Sequence, residues 1–189
     1  MQVAVRLVKQ GVNHADYRRG ILSTLVHEPL APVVPEGEEK AFSRISRLVA
    51  SRERCTSELA ERLAQDGFSE QDAQSAIARA VSCGMVDDLR YADILIRSRV
   101  SQDRGRAGIE EELNRYGIDP RRLAGWPDEY FGTDDGASEE ERAFGFLCRK
   151  PPRSKNTYAA ACRKLAARGY SPDVVFAAAR RYAKHEGVF

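Results

Sequence analysis

The sequence is poor in the groups from which chemical sites are built. Its four cysteines, Cys55, Cys83, Cys148 and Cys162, contain no C-x-x-C pair, and its three histidines, His14, His27 and His185, stand far apart. Metal centres and disulfide frameworks draw on short, regular spacings of such residues, so neither is expected and the thiols read as reduced and partly buried. There is no G-x-x-x-x-G-K-S/T phosphate loop and no nucleophile elbow, which argues against an ATPase or a hydrolase. No apolar run approaches the ~20 residues that cross a bilayer. No charged-then-apolar signal segment opens the sequence either. A cytoplasmic protein without membrane contact, catalytic group, metal or cofactor is therefore expected.

What the sequence has in place of these is a cadence. It writes Leu63-Ala-Gln-Asp-Gly67-Phe68-Ser69, then Leu113-Asn-Arg-Tyr-Gly117-Ile118-Asp119, then Leu165-Ala-Ala-Arg-Gly169-Tyr170-Ser171, with the glycines 50 and 52 residues apart. Each phrase is an apolar helix face, a glycine suited to a left-handed closing position, and a fresh helix start. Self-similarity at such a period marks stacked supersecondary units, none of which buries its apolar face alone. The expected fold is all-α: three tandem three-helix modules in an elongated, curved array, with a poorly ordered N-terminal arm. The boundaries read as arm and linker over 1–40 and modules over 41–84, 85–131 and 138–186.

Residues 1–40 stand outside the repeat. Val3 to Val8 reads as a short strand and Tyr17 to Val26 as a short helix, before Pro29, Pro32 and Pro35 interrupt any regular element. The first module opens near Glu38 with a stripe of Ile45, Leu48 and Val49. Its second helix carries Leu59 and Leu63, and its third starts at Ser69 and carries Ala73, Ala76, Ile77, Ala80 and Val81. The second module opens at Asp87-Asp88, with Tyr91, Ala92, Leu95 and Ile96 on one face, and carries Ile109 and Leu113 on its second helix. Asp119-Pro120 restarts the chain, but Gly125-Trp126-Pro127 keeps the third helix short, and Thr133 to Gly136 reads as a turn. The third module begins with the capping box Ser138-Glu-Glu-Glu141, breaks at Pro151-Pro152 and resumes through Ala161, Leu165 and Ser171-Pro172.

A net charge of +2 conceals an uneven distribution. From Arg142 to Lys184 there are eleven Lys or Arg and one acid, Asp173. The first connection of every module is basic: Arg52 and Arg54, then Arg104 and Arg106, then Arg149, Lys150, Arg153 and Lys155. If the modules stack in one sense, these connections line a single edge able to follow a phosphate backbone or an acidic protein face. Arg163, Lys164 and Arg168 belong to the same basic module. Arg97 and Arg99 read as lying on the helix face away from Leu95 and Ile96, where they extend the edge.

The ordered set Gly84-Met-Val-Asp87-Asp88-Leu-Arg-Tyr91-Ala92, Arg104-Gly105, Ile109-Glu-Glu-Glu112-Leu113 and Gly117-Ile118 resembles the RecX regulators of the RecA recombinase. Leu48, Arg52, Glu58-Leu59, Leu63 and Gly67 match the family's first module. Ser154-Lys155, Leu165 and Arg168-Gly169-Tyr170-Ser171 look like its third. The resemblance covers about residues 43 to 184. Arg104-Gly105 stands where the family usually has Lys-Gly, and the proline-interrupted third helix of the second module is less typical. The resemblance implies a non-enzymatic helical protein, expected to work as a monomer. Such a protein lies in the groove of the RecA–single-stranded DNA filament, touches the DNA weakly through electrostatics, and modulates recombination and the DNA-damage response, usually by inhibition.

Several motifs invite sharper chemistry. Asp87-Asp88 has the look of a Mg²⁺ or acid–base pair, but no further ligand or base stands at helical spacing, and helix N-capping that orients module two on module one accounts for both acids. Gly105-Arg-Ala-Gly108 imitates the GXXG loop of KH domains without their strands, so helix initiation with close backbone packing is expected. Trp126, Tyr130 and Phe131 read as loop anchors and Tyr91 as core, although each ring could stack on a base. Two other functions fit three-helix units. One is a helix-turn-helix DNA-binding regulator, against which the third helices offer few base-reading side chains. The other is a peptide-binding helical scaffold.

Overall fold

In the computed structural model, which describes residues 35–132 and 138–185, nine α-helices and one short 3-10 turn account for the regular structure among those residues. The strand and helix expected within residues 1–34 and the turn at 133–136 lie outside the described residues. The helices are α1 (Glu36–Val49), α2 (Thr56–Gln65), α3 (Glu70–Ser82), α4 (Asp88–Ser101), α5 (Arg106–Arg115), α6 (Asp128–Phe131), α7 (Glu139–Arg149), α8 (Thr157–Ala166) and α9 (Pro172–His185). No helix among the described residues is long and apolar enough to cross a membrane.

The glycine cadence is a cadence of helix endings. Gly67, Gly117 and Gly169 have φ of +86°, +72° and +79°. In each case the following amide reaches back to a leucine carbonyl: Phe68 to Leu63 at 3.1 Å, Ile118 to Leu113 at 3.1 Å and Tyr170 to Leu165 at 3.3 Å. This is the Schellman closure, which satisfies orphan carbonyls and turns the chain back across its own helix. Helix starts are equally explicit. Ser69 accepts from the Asp72 amide, Asp87 from the Leu89 and Arg90 amides, and Ser138 and Glu141 form the reciprocal capping box.

Three apolar cores result. Ala41, Ile45, Leu59, Leu63, Ala73, Ala76, Ala80 and Val86 form the core of α1–α3. Tyr91, Ala92, Ile96, Ile109, Leu113, Ile118 and Tyr130 form that of α4–α6. Ala143, Phe146, Leu147, Ala161, Leu165, Tyr170, Val175, Ala178, Ala179 and Tyr182 form that of α7–α9. Cys55, in the α1–α2 connection, is fully buried and packs into the second core, where burial pushes its thiol pKa up. Of the other three cysteines, Cys83 and Cys148 are exposed and Cys162 is half-buried; all four are free thiols.

Two details differ from the sequence reading. α1 starts at Glu36, inside the stretch read as linker, because three acids in its first turn favour the positive helix end and Pro35 is tolerated just outside it. Arg99 points into the structure. It lies three residues after Ile96 and seven after Ala92, hence on the same helix face, and it faces α5.

The three bundles are joined by contacts that repeat. α2 and α5 have no side-chain cap of their own, since Cys55 and Gly105 occupy the capping positions. Each receives a carboxylate from the first residue of a helix in the next bundle. Asp88 accepts from the Thr56 amide at 2.8 Å and the Thr56 hydroxyl at 2.7 Å, and Glu139 accepts from the Arg106 amide at 2.7 Å. α8, in the last bundle, is capped locally by Asn156, which accepts from the Ala159 amide.

Candidate partner-binding groove

The basic residues of the three inter-helix connections reach different electrostatic states. In the first bundle Arg52 makes a forked pair with Glu58 at 2.9 and 3.0 Å, and Arg54 donates to the Leu48 carbonyl at 3.3 Å. In the second, Arg104 reaches the Ala167 carbonyl at 3.5 Å, and Arg106 pairs with Glu110 at 2.8 Å and lies against the Trp126 ring. Arg97 pairs with Asp93 and covers the Tyr130 ring. Arg99 forks onto Glu112 at 2.9 and 2.6 Å, and this hydrogen bond holds the Glu112 carboxyl below its ordinary range. Tyr130 is buried and donates to Asp93 at 2.8 Å; burial first, and that bond second, push its hydroxyl up to about 12.

The third bundle differs. The end of α7, the Pro151-Pro152 connection and the outer face of α8 enclose an open groove of about 810 Å³. Arg149, Lys150, Arg153, Arg163 and Lys164 line it together with Pro151, Pro152, Ser154 and Ala160, and no acid does. Lys164 donates to the Lys150 and Pro151 carbonyls and so pins the rim. Two ammonium groups and a guanidinium gather at one buried ring: Lys150, Lys164 and Arg168 lie 5.7, 5.5 and 4.8 Å from the Phe146 centroid. Arg153, Lys155 and Arg163 are exposed, and their side chains make no ion pair or hydrogen bond among the described residues. Four of the five cations lining the groove have no acid partner among the described residues and repel one another, while Arg149 pairs with Asp103 in the α4–α5 connection at 2.6 Å; a bound anion relieves the repulsion.

The thirteen basic residues singled out in the sequence thus divide. Five share the groove. Lys155 stands beside it in the same connection, Arg168 turns toward Phe146, Arg104 reaches across to the Ala167 carbonyl of the third bundle, and the remaining five are engaged within the first two bundles.

Next to the groove lies the joint between the second and third bundles; close backbone packing at Gly105-Arg-Ala-Gly108 is expected from the sequence, but its partner in the third bundle is not. The Gly105 amide donates to the Arg168 carbonyl at 2.9 Å and the Gly108 amide to the Gly169 carbonyl at 2.8 Å. A Cβ on Gly108 would sit 2.7 Å from the Gly169 Cα, and one on Gly169 would sit 2.6 Å from the Gly108 Cα. Backbones therefore meet where no side chain fits. The available signal was the two glycines of Gly105-Arg-Ala-Gly108, which a helix start alone does not require. Enclosed at this joint, the Tyr170 hydroxyl and Arg142 Nη1 have no protein partner among the described residues, and burial raises the Tyr170 pKa.

Comparison with known proteins bears on the whole arrangement. Residues 41–79 match the family model described as RecX, first three-helix domain. A regulatory protein RecX of Legionella pneumophila (strain Corby) is 40% identical over 81 residues, covering 43% of this chain and about half, 54%, of that protein. One from Acidithiobacillus ferrooxidans (strain ATCC 53993 / BNL-5-31) is 31% identical over 134 residues, covering 68% of this chain and 81% of that one. The crystal structure of RecX from Lactobacillus salivarius superposes with a TM-score of 0.59 at 18% identity, covering 80% of this chain and 99% of the other, which is a likeness of fold.

Proposed function

This chain belongs to the RecX family of regulatory proteins, and we propose that it regulates a RecA-type recombinase by binding its filament on single-stranded DNA and inhibiting it. The observation that carries this reading is the acid-free groove of five cations in the third bundle. Filaments on DNA present phosphates and acidic protein faces at regular intervals, and a cationic surface on a multi-bundle chain engages several at once. Linked weak contacts then add through effective concentration.

Under this reading the protein is a cytoplasmic, non-enzymatic monomer when free, with modules near 41–84, 85–131 and 138–186. It touches single-stranded DNA weakly and with a steep dependence on salt. Bound in the filament groove it obstructs the second DNA duplex and repressor substrates.

Titration of the recombinase's DNA-dependent ATPase and strand exchange tests this. We expect both to fall as the protein approaches stoichiometry with recombinase subunits. Reversal of Lys150, Arg153 and Lys155 to Glu should abolish the effect while changing stability by less than ~0.5 kcal/mol per residue. Unchanged ATPase and strand exchange at molar excess of the unmodified protein would end the proposal.

A further inference from the structure

The groove and the joint share an arginine. Arg149 ends α7 and lines the groove, yet its guanidinium donates to Asp103 Oδ1 at 2.6 Å in the α4–α5 connection. Asp103 has φ +59°, the one positive value at a non-glycine residue among those described. Side chains other than glycine rarely adopt that conformation without something to hold them there.

What holds it is a grip taken residue by residue. The Gln102 carbonyl accepts from Arg168 at 2.7 Å, and the Arg104 carbonyl accepts from Arg142 at 3.4 Å. Gly105 and Gly108 bond to the backbone of the third bundle. Asp103 sits in the middle of this run and is held by Arg149 through a full charge.

An anion in the groove meets five cations, of which Arg149 has its acid partner in that connection. The anion and Asp103 then compete for one guanidinium. Three of the five cations are arginines, whose planar forks suit the oxygens of a phosphate, and the volume accommodates more than one linked phosphate group.

We infer that the groove is a receptor for phosphate groups whose occupancy draws Arg149 from Asp103 and loosens the joint between the second and third bundles. This rests on the groove being the partner-facing surface proposed above. It adds the ligand chemistry and a mechanical consequence: filling the groove changes how firmly the two bundles are held. Coupling of this kind is reciprocal, so loosening the joint must tighten the groove's grip on its ligand.

The reciprocity makes it testable with no recombinase present. The full chain is titrated calorimetrically at low salt with pyrophosphate, with a dT oligonucleotide and with a polyglutamate peptide of equal charge. Amide hydrogen exchange at Gly105 and Gly108 is followed in parallel. Binding of pyrophosphate alone identifies free phosphate as the source, and tighter binding of the oligonucleotide identifies the nucleic-acid backbone; either supports the receptor.

Asp103→Asn should tighten binding about two- to fivefold, the range of an exposed ion pair. Asp103→Gly, which accepts the positive φ without strain, should do the same. Arg153→Glu with Arg163→Glu should weaken binding at least ~10-fold, since two attractive charges become repulsive. Saturation should speed exchange at Gly105 and Gly108 several-fold and leave Leu59 and Leu63 unchanged.

No binding by either phosphate probe overturns the inference, as does a peptide that binds more tightly than the oligonucleotide. Binding that neither Asp103 variant alters, with unchanged protection at Gly108, overturns the coupling. The recombinase ATPase titration is a separate measurement, so the inference and the filament reading fail independently.

Discussion

The two joints of this chain use the same helix-to-helix capping idea with different materials. Between the first and second bundles the contact is made by side chains: Asp88 caps α2 through Thr56, and Arg90 reaches back to Glu53 at 2.6 Å. Between the second and third, Glu139 caps α5 in the same way, but backbones also bond directly at Gly105, Gly108 and Gly169. A side-chain clasp spans a gap and tolerates adjustment. A backbone weld leaves no gap, so it sets the spacing of its two bundles and fails abruptly when an atom is added.

The sharpest way to separate joint from core is to damage a core first. Leu113 is fully buried, and Leu113→Ala should cost about 2–5 kcal/mol in a denaturant titration. It should do so without selectively exposing the Gly105 and Gly108 amides. Gly169→Ala should cost about 3 kcal/mol, from the positive φ and the collision with Gly108 together. Here the loss of amide protection should centre on the weld.

At the other joint, Asp88→Ala removes a cap and should cost about 1–2 kcal/mol, with exchange rising at Thr56 and little change at Gly108. Should Asp88→Ala prove as damaging as Gly169→Ala, the contrast between clasp and weld is wrong. A smaller effect follows from acid. The Glu112 carboxyl is held low by Arg99, so the folded chain binds its proton less readily than the unfolded chain. Its contribution is present above the ordinary glutamate range, near 4.5, and is lost as pH falls below it. Glu112→Gln should therefore destabilise by about 1 kcal/mol at neutral pH and flatten the acid side of the stability profile.

Much of the fold is written in local chemistry, which is why it is legible without coordinates. At the end of an apolar helix face, a leucine, three residues and a glycine state a Schellman closure, as at Gly67, Gly117 and Gly169, and Ser138 with Glu141 states a helix start. The short third element of the second bundle follows from Gly125-Trp126-Pro127; the structure makes it a 3-10 turn at Pro120–Arg122 and the four-residue α6. Local sequence is silent on which acid answers which arginine. Arg52, Arg99 and Arg149 look alike in composition, yet Glu58, Glu112 and Asp103 reach them from 6, 13 and 46 residues away. Only in the groove of the third bundle do several of these cations gather where no acid lines the surface, among the described residues.

The caps exchanged between bundles carry a lesson for anyone rebuilding this chain. A bundle here is not a portable brick, because the second helix of each of the first two borrows its terminal carboxylate from its successor. Inserting, shuffling or truncating units succeeds only where the newcomer opens with Asp or Glu at its first helical position, or where the exposed helix is given its own Asn, as α8 has in Asn156.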